Sequence, residues 1–102
     1  MRVKVGINGF GRMGRLGLRI GWAKNGYDII HVNEPGGSAE QAAHLLEFDT
    51  IHGRWGRDIS FGSDRLIIDG VAVGYSMERT PAEIQWDKLG VDIVVECSGE
   101  FK

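Results

Sequence analysis

Cysteine occurs once in this chain, proline twice, and no apolar stretch approaches the roughly 20 residues that a membrane-spanning helix needs. The lone Cys97 rules out a disulfide within the chain and fits a reducing cytoplasm. No basic-then-apolar leader precedes the first strand-like run at Val3, so no secretory signal is expected. An excess of charge of one sign is lacking as well. The formal net charge is −2 with acids and bases interspersed, which gives no electrostatic footprint for nucleic acid or a membrane surface. There is no low-complexity segment and no internal repeat. What remains is one small domain of 102 residues, long enough to bury a core with little to spare. Glycine alone is abundant. At 16 residues it is about twice ordinary usage, so a chance Gly-x-Gly match has to be weighed against its context.

The context is an alternation of strands and helices. Val3 to Ile7 reads as a short buried strand, and Gly9 to Gly14 follow at once. From Gly11 to about Lys24, Met13, Leu16, Leu18, Ile20 and Trp22 trace an approximate helical face, with Arg12, Arg15 and Arg19 on the wet side. Asn25-Gly26 suits a left-handed cap, and Asp28 to Asn33 reads as a second strand. After the loop Pro35-Gly-Gly, Ser38 stands as an N-cap with Gln41 three residues on, the pattern of a capping box, and the helix runs to about Glu47. Asp58–Phe61, Arg65–Asp69 and Val71–Tyr75 alternate in polarity between the turn signals Gly62-Ser63-Asp64 and Asp69-Gly70, which predicts an antiparallel insertion. Thr80-Pro81 marks a short helix start, and Asp92 to Cys97 reads as a third buried strand. The order predicts an α/β, Rossmann-like parallel sheet with helices on both faces and the antiparallel β insertion.

Gly9-x-Gly11-x-x-Gly14 follows a strand and opens a helix, and each spacing has a physical reason. Gly9 permits the tight turn, Gly11 lets the backbone approach a pyrophosphate, and Gly14 lets helix and strand pack closely. The free N–H groups and positive dipole end of the helix then face the anion. Glu34, at the end of the second strand and twenty residues after Gly14, stands where a carboxylate accepts from the adenosine ribose hydroxyls. Motif, context and acid together predict a dinucleotide site. A carboxylate at Glu34 repels a 2′-phosphate, so the expected cofactor is NAD rather than NADP. Arg12 and Arg15 could serve a 2′-phosphate, but helix-surface arginines are more often simply solvated.

The segments "VGINGFGRMGRL", "VNEP", "LLEFDTIHGRW", "ERTP" and "VDIVVECSGEF" resemble, in order and spacing, the N-terminal part of glyceraldehyde-3-phosphate dehydrogenases over nearly the whole chain. The resemblance implies a much longer enzyme. Its NAD-bound Rossmann domain comes first, and a catalytic domain follows whose cysteine thiolate attacks an aldehyde phosphate. Hydride passes to NAD, phosphate releases an acyl phosphate, and a histidine acts as base. It also implies a cytoplasmic homotetramer. Residue by residue, it implies that the backbone of Arg12 and Met13 meets the pyrophosphate and Glu34 the adenosine ribose. Arg79 should lie beside the adenine, Ser98 and Gly99 near the nicotinamide half, and Phe10 and Asn33 close by. Without the family, Arg79 reads as a surface arginine.

Two departures stand out. The family usually has Asp at Glu34, and Glu-Ser-Thr-Gly where this chain has Glu96-Cys-Ser-Gly99. Trp55 after His-Gly-Arg, together with "HLLEFD", resembles a side branch associated with arsenate resistance, which makes an arseno analogue of the acyl phosphate. The family's catalytic cysteine motif and histidine are not in these 102 residues, and Cys97, at a strand end, reads as a small buried thiol. No catalytic residue is therefore assigned. His31, His44 and His52 lack metal-ligand spacing, so no metal site is expected. The chain reads as residues 1–102 of an incomplete NAD-binding domain, with apolar faces and a strand edge left uncovered that favour self-association. Two other readings stay open: a stand-alone dinucleotide-binding module, and the Rossmann domain of an erythrose-4-phosphate or semialdehyde dehydrogenase.

Overall fold

The computed structural model describes residues 2–22, 26–49, 53–80 and 84–97. In chain order the elements are β1 (Val3–Asn8), α1 (Arg12–Trp22), β2 (Tyr27–Asn33), α2 (Ala39–Glu47), β3 (Phe48–Asp49), β4 (Gly53–Arg54), β5 (Ile59–Gly62), β6 (Arg65–Ile68), β7 (Val71–Ser76), α3 (Trp86–Leu89) and β8 (Ile93–Glu96). Six strands form one sheet in the order β5-β6-β7-β2-β1-β8, and β3 pairs with β4 separately. β7, β2, β1 and β8 are parallel, while β5, β6 and β7 form an antiparallel meander. The expected insertion is thus continuous with the main sheet. Its last strand serves both halves, because β7 pairs with β6 along one edge and with β2 along the other.

Local chemistry explains the joints. Asp69 and Gly70 both have positive φ, 51° and 81°, as a two-residue hairpin between β6 and β7 requires. Asp69 also accepts from Arg57 Nη1 at 2.6 Å and from the Asp58 N–H at 3.1 Å. The Arg57 hydrogen bond and then the Asp58 one hold its carboxyl below the usual range. Ser38 caps α2 as expected: its Oγ accepts from the Gln41 N–H at 3.2 Å, and Gln41 Oε1 accepts from the Ser38 N–H at 2.9 Å. Such a cap is worth about 1 kcal/mol.

The core lies between α1, α2 and one face of the sheet, where Leu18, Val32, Leu46, Leu66, Ile68 and Val73 are fully buried. Each contributes about 1.5–3 kcal/mol by leaving water. On the opposite face the Trp86 ring of α3 lies over Gly6 and meets His31 edge-on at 5.6 Å between ring centres. Helices therefore flank both faces, as the alternation predicted.

Three expectations need correction. In α1 the residues turned to the sheet are Gly14, Leu18 and Gly21, whereas Met13 and Ile20 are exposed. Small residues let the helix sit close to Ile7 and Ile29, and glycines do not register as an apolar stripe. Arg19 is not solvated either. Its guanidinium donates to the carbonyls of Leu46, Glu47 and Gly53 at 2.6–3.1 Å and sits 5.7 Å from the Trp55 ring, closing the end of α2. Finally, β8 is an edge strand and not a buried one: Ile93, Val94 and Val95 are 51%, 38% and 44% exposed. The uncovered strand edge itself was foreseen. The short-helix start at Thr80-Pro81 and the cap residue Asn25 fall against or within stretches outside the described residues, and the helix that is described there begins at Trp86.

Candidate dinucleotide site

The carboxyl ends of β1, β2, β7 and β8 form one edge of the parallel sheet, and those residues singled out for a nucleotide that the structure describes gather along it. β1 leaves the sheet through Gly9, whose φ of 96° is the left-handed turn that favours glycine. The Gly9 N–H donates to the Asn33 carbonyl at 2.8 Å, tying the turn to the end of β2. Phe10 then drops its side chain into the core while its N–H donates to Glu34 Oε1 at 2.7 Å. Gly11 stands before α1, and the first helical hydrogen bond runs from the Arg15 N–H to the Gly11 carbonyl at 3.0 Å. The N–H groups of Arg12, Met13 and Gly14 precede that bond and have no place in the helical ladder.

The three glycines have different reasons. A Cβ at Gly14 would strike the Gly9 carbonyl oxygen, so this position holds turn and helix together. A Cβ at Gly11 would meet nothing within 4 Å, so the fold gives no reason for a glycine there. Close approach by a molecule from outside does.

Glu34 follows β2 directly, and both its oxygens are engaged by main chain: Oε1 by Phe10 and Oε2 by the Gly36 N–H, each at 2.7 Å. A carboxylate oxygen has further acceptor capacity, so the group is oriented without being closed to a hydroxyl. It faces a cleft of about 770 Å³ whose walls include Phe10, Gly11, Gly37, Gln41 and Tyr75. Tyr75 donates to the Gly37 carbonyl at 2.5 Å and fixes that side of the loop. Burial, and then the neighbouring Glu34 charge, push its phenol up to about 12, so it stays a neutral donor at neutral pH.

Positive charge collects at the helix start. Arg12 is exposed, and Arg15 reaches back to donate to the Phe10 carbonyl at 3.2 Å, leaving its Nε buried without a partner among the described residues. Arg79 is exposed and follows β7 at the same edge. Asn33 is 1% exposed. Ser98 and Gly99 lie outside the described residues, as does His52. Cys97 is half-buried at the end of β8, and burial, reinforced by the Glu96 charge, pushes its thiol up, away from the thiolate. Among the described residues no three His, Cys, Asp or Glu side chains cluster as metal ligands, and no helix is long and apolar enough to cross a membrane.

Sequence reasoning missed three members of the edge. Asn8 and Ser76 stand in register beside Asn33 and are joined to it by side-chain hydrogen bonds, and Glu96, in register with Asn8, joins the row by accepting from the Asn8 amide. Their only sequence signal is a polar residue at the carboxyl end of each apolar strand.

A parallel sheet, a glycine turn into a helix and an acid at the next strand end together define a dinucleotide-binding α/β domain. Comparison with known proteins sharpens that class. The family model "Glyceraldehyde 3-phosphate dehydrogenase, NAD binding domain" matches residues 3–102. Glyceraldehyde-3-phosphate dehydrogenase 3 of Nostoc sp. is 48% identical over the whole chain, and glyceraldehyde-3-phosphate dehydrogenase 1 of Kluyveromyces lactis is 43% identical over 98% of it. The corresponding protein of Saccharomyces cerevisiae is 38% identical, also over 98% of the chain. The chain belongs to the glyceraldehyde-3-phosphate dehydrogenase family and forms its NAD-binding domain, with NAD as the cofactor of that domain. It spans 30% of the length of these relatives.

Proposed function

We propose that this chain is the NAD-holding part of a phosphorylating glyceraldehyde-3-phosphate dehydrogenase, an oxidoreductase that converts an aldehyde phosphate to an acyl phosphate with hydride transfer to NAD. The observation that carries this is the start of α1, where uncommitted N–H groups, Arg12 and Arg15 meet beside a glycine with no internal reason to be one. In this reading the N–H groups of Arg12 and Met13 hold the pyrophosphate, with Gly9, Gly11 and Gly14 shaping the turn. Glu34, already oriented by Phe10 and Gly36, accepts from the adenosine ribose. Arg79 lies along the adenine, and Ser98 and Gly99 serve the nicotinamide half. NAD supplies the hydride acceptor, and the residues of this chain bind and orient it. The attacking thiolate and the base belong to a catalytic domain, not to Cys97, whose environment favours the neutral thiol. A cytoplasmic homo-oligomer is the assembly that goes with the family. The identity of Trp55 after His-Gly-Arg supports the arsenate-associated branch as the narrower reading.

The test is a calorimetric titration with NAD and, separately, NADP. Saturable NAD binding, with NADP weaker by about tenfold, or about 1.4 kcal/mol, is expected, because Glu34 repels a 2′-phosphate. Glu34→Ala should weaken NAD and narrow that gap. A folded chain that binds neither nucleotide, or both alike, contradicts the assignment.

A further inference from the structure

Polar side chains cross the carboxyl ends of all four parallel strands. Asn8 Nδ2 donates to Glu96 Oε2 at 2.9 Å, Asn33 Nδ2 to Asn8 Oδ1 at 3.0 Å, and Ser76 Oγ to Asn33 Oδ1 at 2.7 Å. His31 Nε2 lies 2.8 Å from Ser76 Oγ, and with the serine proton directed at Asn33 it is the imidazole N–H that donates. The centre of this row is Asn33. Besides Asn8 and Ser76 it grips the main chain of one residue through both its groups: Oδ1 accepts from the Glu78 N–H at 2.9 Å, and Nδ2 donates to the Glu78 carbonyl at 3.0 Å.

Four hydrogen bonds are the full complement of a primary amide, two through its N–H groups and two through its oxygen. The Asn33 side chain therefore has nothing left to offer a nucleotide. It does something else. The parallel ladder between β2 and β7 ends at Asn33 and Ser76, with the Glu34 N–H donating to the Ser76 carbonyl at 2.8 Å. Glu78 lies beyond the end of that ladder, and the Asn33 amide, which carries the same donor and acceptor as a peptide, supplies the next rung. The residue after Glu78 is Arg79. Meanwhile the Asn33 carbonyl holds Gly9 of the glycine turn.

We propose that Asn33 is a positioning residue for cofactor binding: it fixes the segment carrying Arg79 relative to the glycine turn, so that one nucleotide meets both. The proposal rests on the reading that NAD lies along this edge. Asn8 and Ser76 orient the amide, which otherwise could rotate and exchange donor for acceptor, and Glu96 fixes the Asn8 amide so that its oxygen faces Asn33. An aspartate has the same shape but turns an oxygen toward two acceptors, the Glu78 carbonyl and Asn8 Oδ1, and the grip on Glu78 is lost.

The test is a double-mutant cycle on NAD affinity with wild type, Asn33→Asp, Arg79→Ala and the pair, each shown to be folded by circular dichroism. Asn33→Asp is expected to weaken NAD about tenfold, a size typical of a lost buried polar contact. In the Arg79→Ala background the same change should have almost no further effect, because residues that act through one contact are not additive. Inorganic pyrophosphate, which reaches only the glycine turn, should bind Asn33→Asp and wild type alike. Losses that multiply, NAD affinity unchanged by Asn33→Asp, or a parallel loss of pyrophosphate binding each overturn the proposal. Wild type that binds no NAD overturns the site reading and this inference with it, whereas wild-type binding with an additive cycle overturns the inference alone. Should Asn33→Asp fail to fold, Ser76→Ala removes one bond from Oδ1 and takes its place in the cycle, with a smaller loss of the same non-additive kind expected.

Discussion

Alanine in place of glycine inside a helix ordinarily stabilises it by about 0.5–1 kcal/mol, because the unfolded chain loses conformational freedom. Helix α1 contains three glycines, and for two of them, three residues apart, this structure expects opposite signs. At Gly17 a Cβ would meet nothing within 4 Å, so Gly17→Ala should show the ordinary gain. At Gly14 a Cβ would strike the Gly9 carbonyl and come within 3.5 Å of Ile7 Cγ2. The Gly9 carbonyl belongs to a turn pinned by the bond from its N–H to Asn33, so it cannot swing aside as a side chain would. Overpacking against backbone costs about 1–3 kcal/mol, which exceeds the propensity gain and leaves Gly14→Ala destabilised by roughly 1–2 kcal/mol. The two variants should therefore differ by about 1.5–3 kcal/mol, or on the order of 10 °C in Tm for a domain of this size. Thermal melts followed by circular dichroism measure both. A Gly14→Ala chain that melts as high as Gly17→Ala would refute the steric reading of the glycine turn.

Burial holds the His31 imidazole below its ordinary value, so the folded chain takes up that proton at lower pH than the unfolded one does. The stability His31 protects is complete above about pH 6.5 and drains away as pH falls from there toward the folded value. Tm should drop between pH 7 and 5.5, and His31→Gln should flatten that slope; an unchanged slope assigns it to another group. Asp69 acts in a separate window, with its contribution present above the ordinary carboxyl value and lost as pH falls below it, so Asp69→Asn should alter only the acid limb of the profile. Arg19→Lys keeps the charge but cannot reproduce a fork over three carbonyls, and a loss of about 1–2 kcal/mol in chemical denaturation is expected. The exposed edge and apolar side chains of β8 should promote association, which light scattering detects as mass rising with concentration. Ile93→Lys combined with Val95→Lys should suppress it, and association that persists unchanged places the contact elsewhere.

The elements legible in the sequence were those whose signal is local. The Ser38 capping box, the Asp69-Gly70 turn and the end of β2 at Asn33 follow from residues close in the chain, while the ends of β1 and β8, read at Ile7 and Cys97, fall at Asn8 and Glu96. What escaped depends on which strand lies beside which. β7 alternates in polarity like any half-exposed hairpin strand, and nothing within it announces a parallel partner. β8 reads as buried because its residues are apolar, yet exposure is decided by neighbours, and among the described residues it pairs with β1 alone. The inward face of α1 was hidden for another reason: Gly14 and Gly21 earn their place by having no side chain, and a pattern built on hydrophobicity cannot see them. In the candidate site, Glu34 was singled out from spacing. The Asn8–Asn33–Ser76 row was not, since its logic is lateral register across strands far apart in sequence.

The two main helix starts show how a site can be recognised where local rules fail. At α2 every rule is kept: Ser38 caps, Gln41 reciprocates, and Glu40 brings negative charge to the positive end of the dipole. At α1 each is broken. The residue before the helix is a glycine with no side chain to cap, the first turn has no acid, and Arg12 and Arg15 add positive charge where the dipole is already positive. Each such charge is unfavourable by about 0.3–1 kcal/mol, so this start is electrostatically strained by itself. It becomes consistent once an anion with two or more negative oxygens sits on the N–H groups, because it satisfies the orphan donors and offsets the arginines together. Both helices fold on the same sheet within one small domain, so the difference does not lie in what the fold can supply. The protein closes one helix start with its own side chains and leaves the other open to an anion.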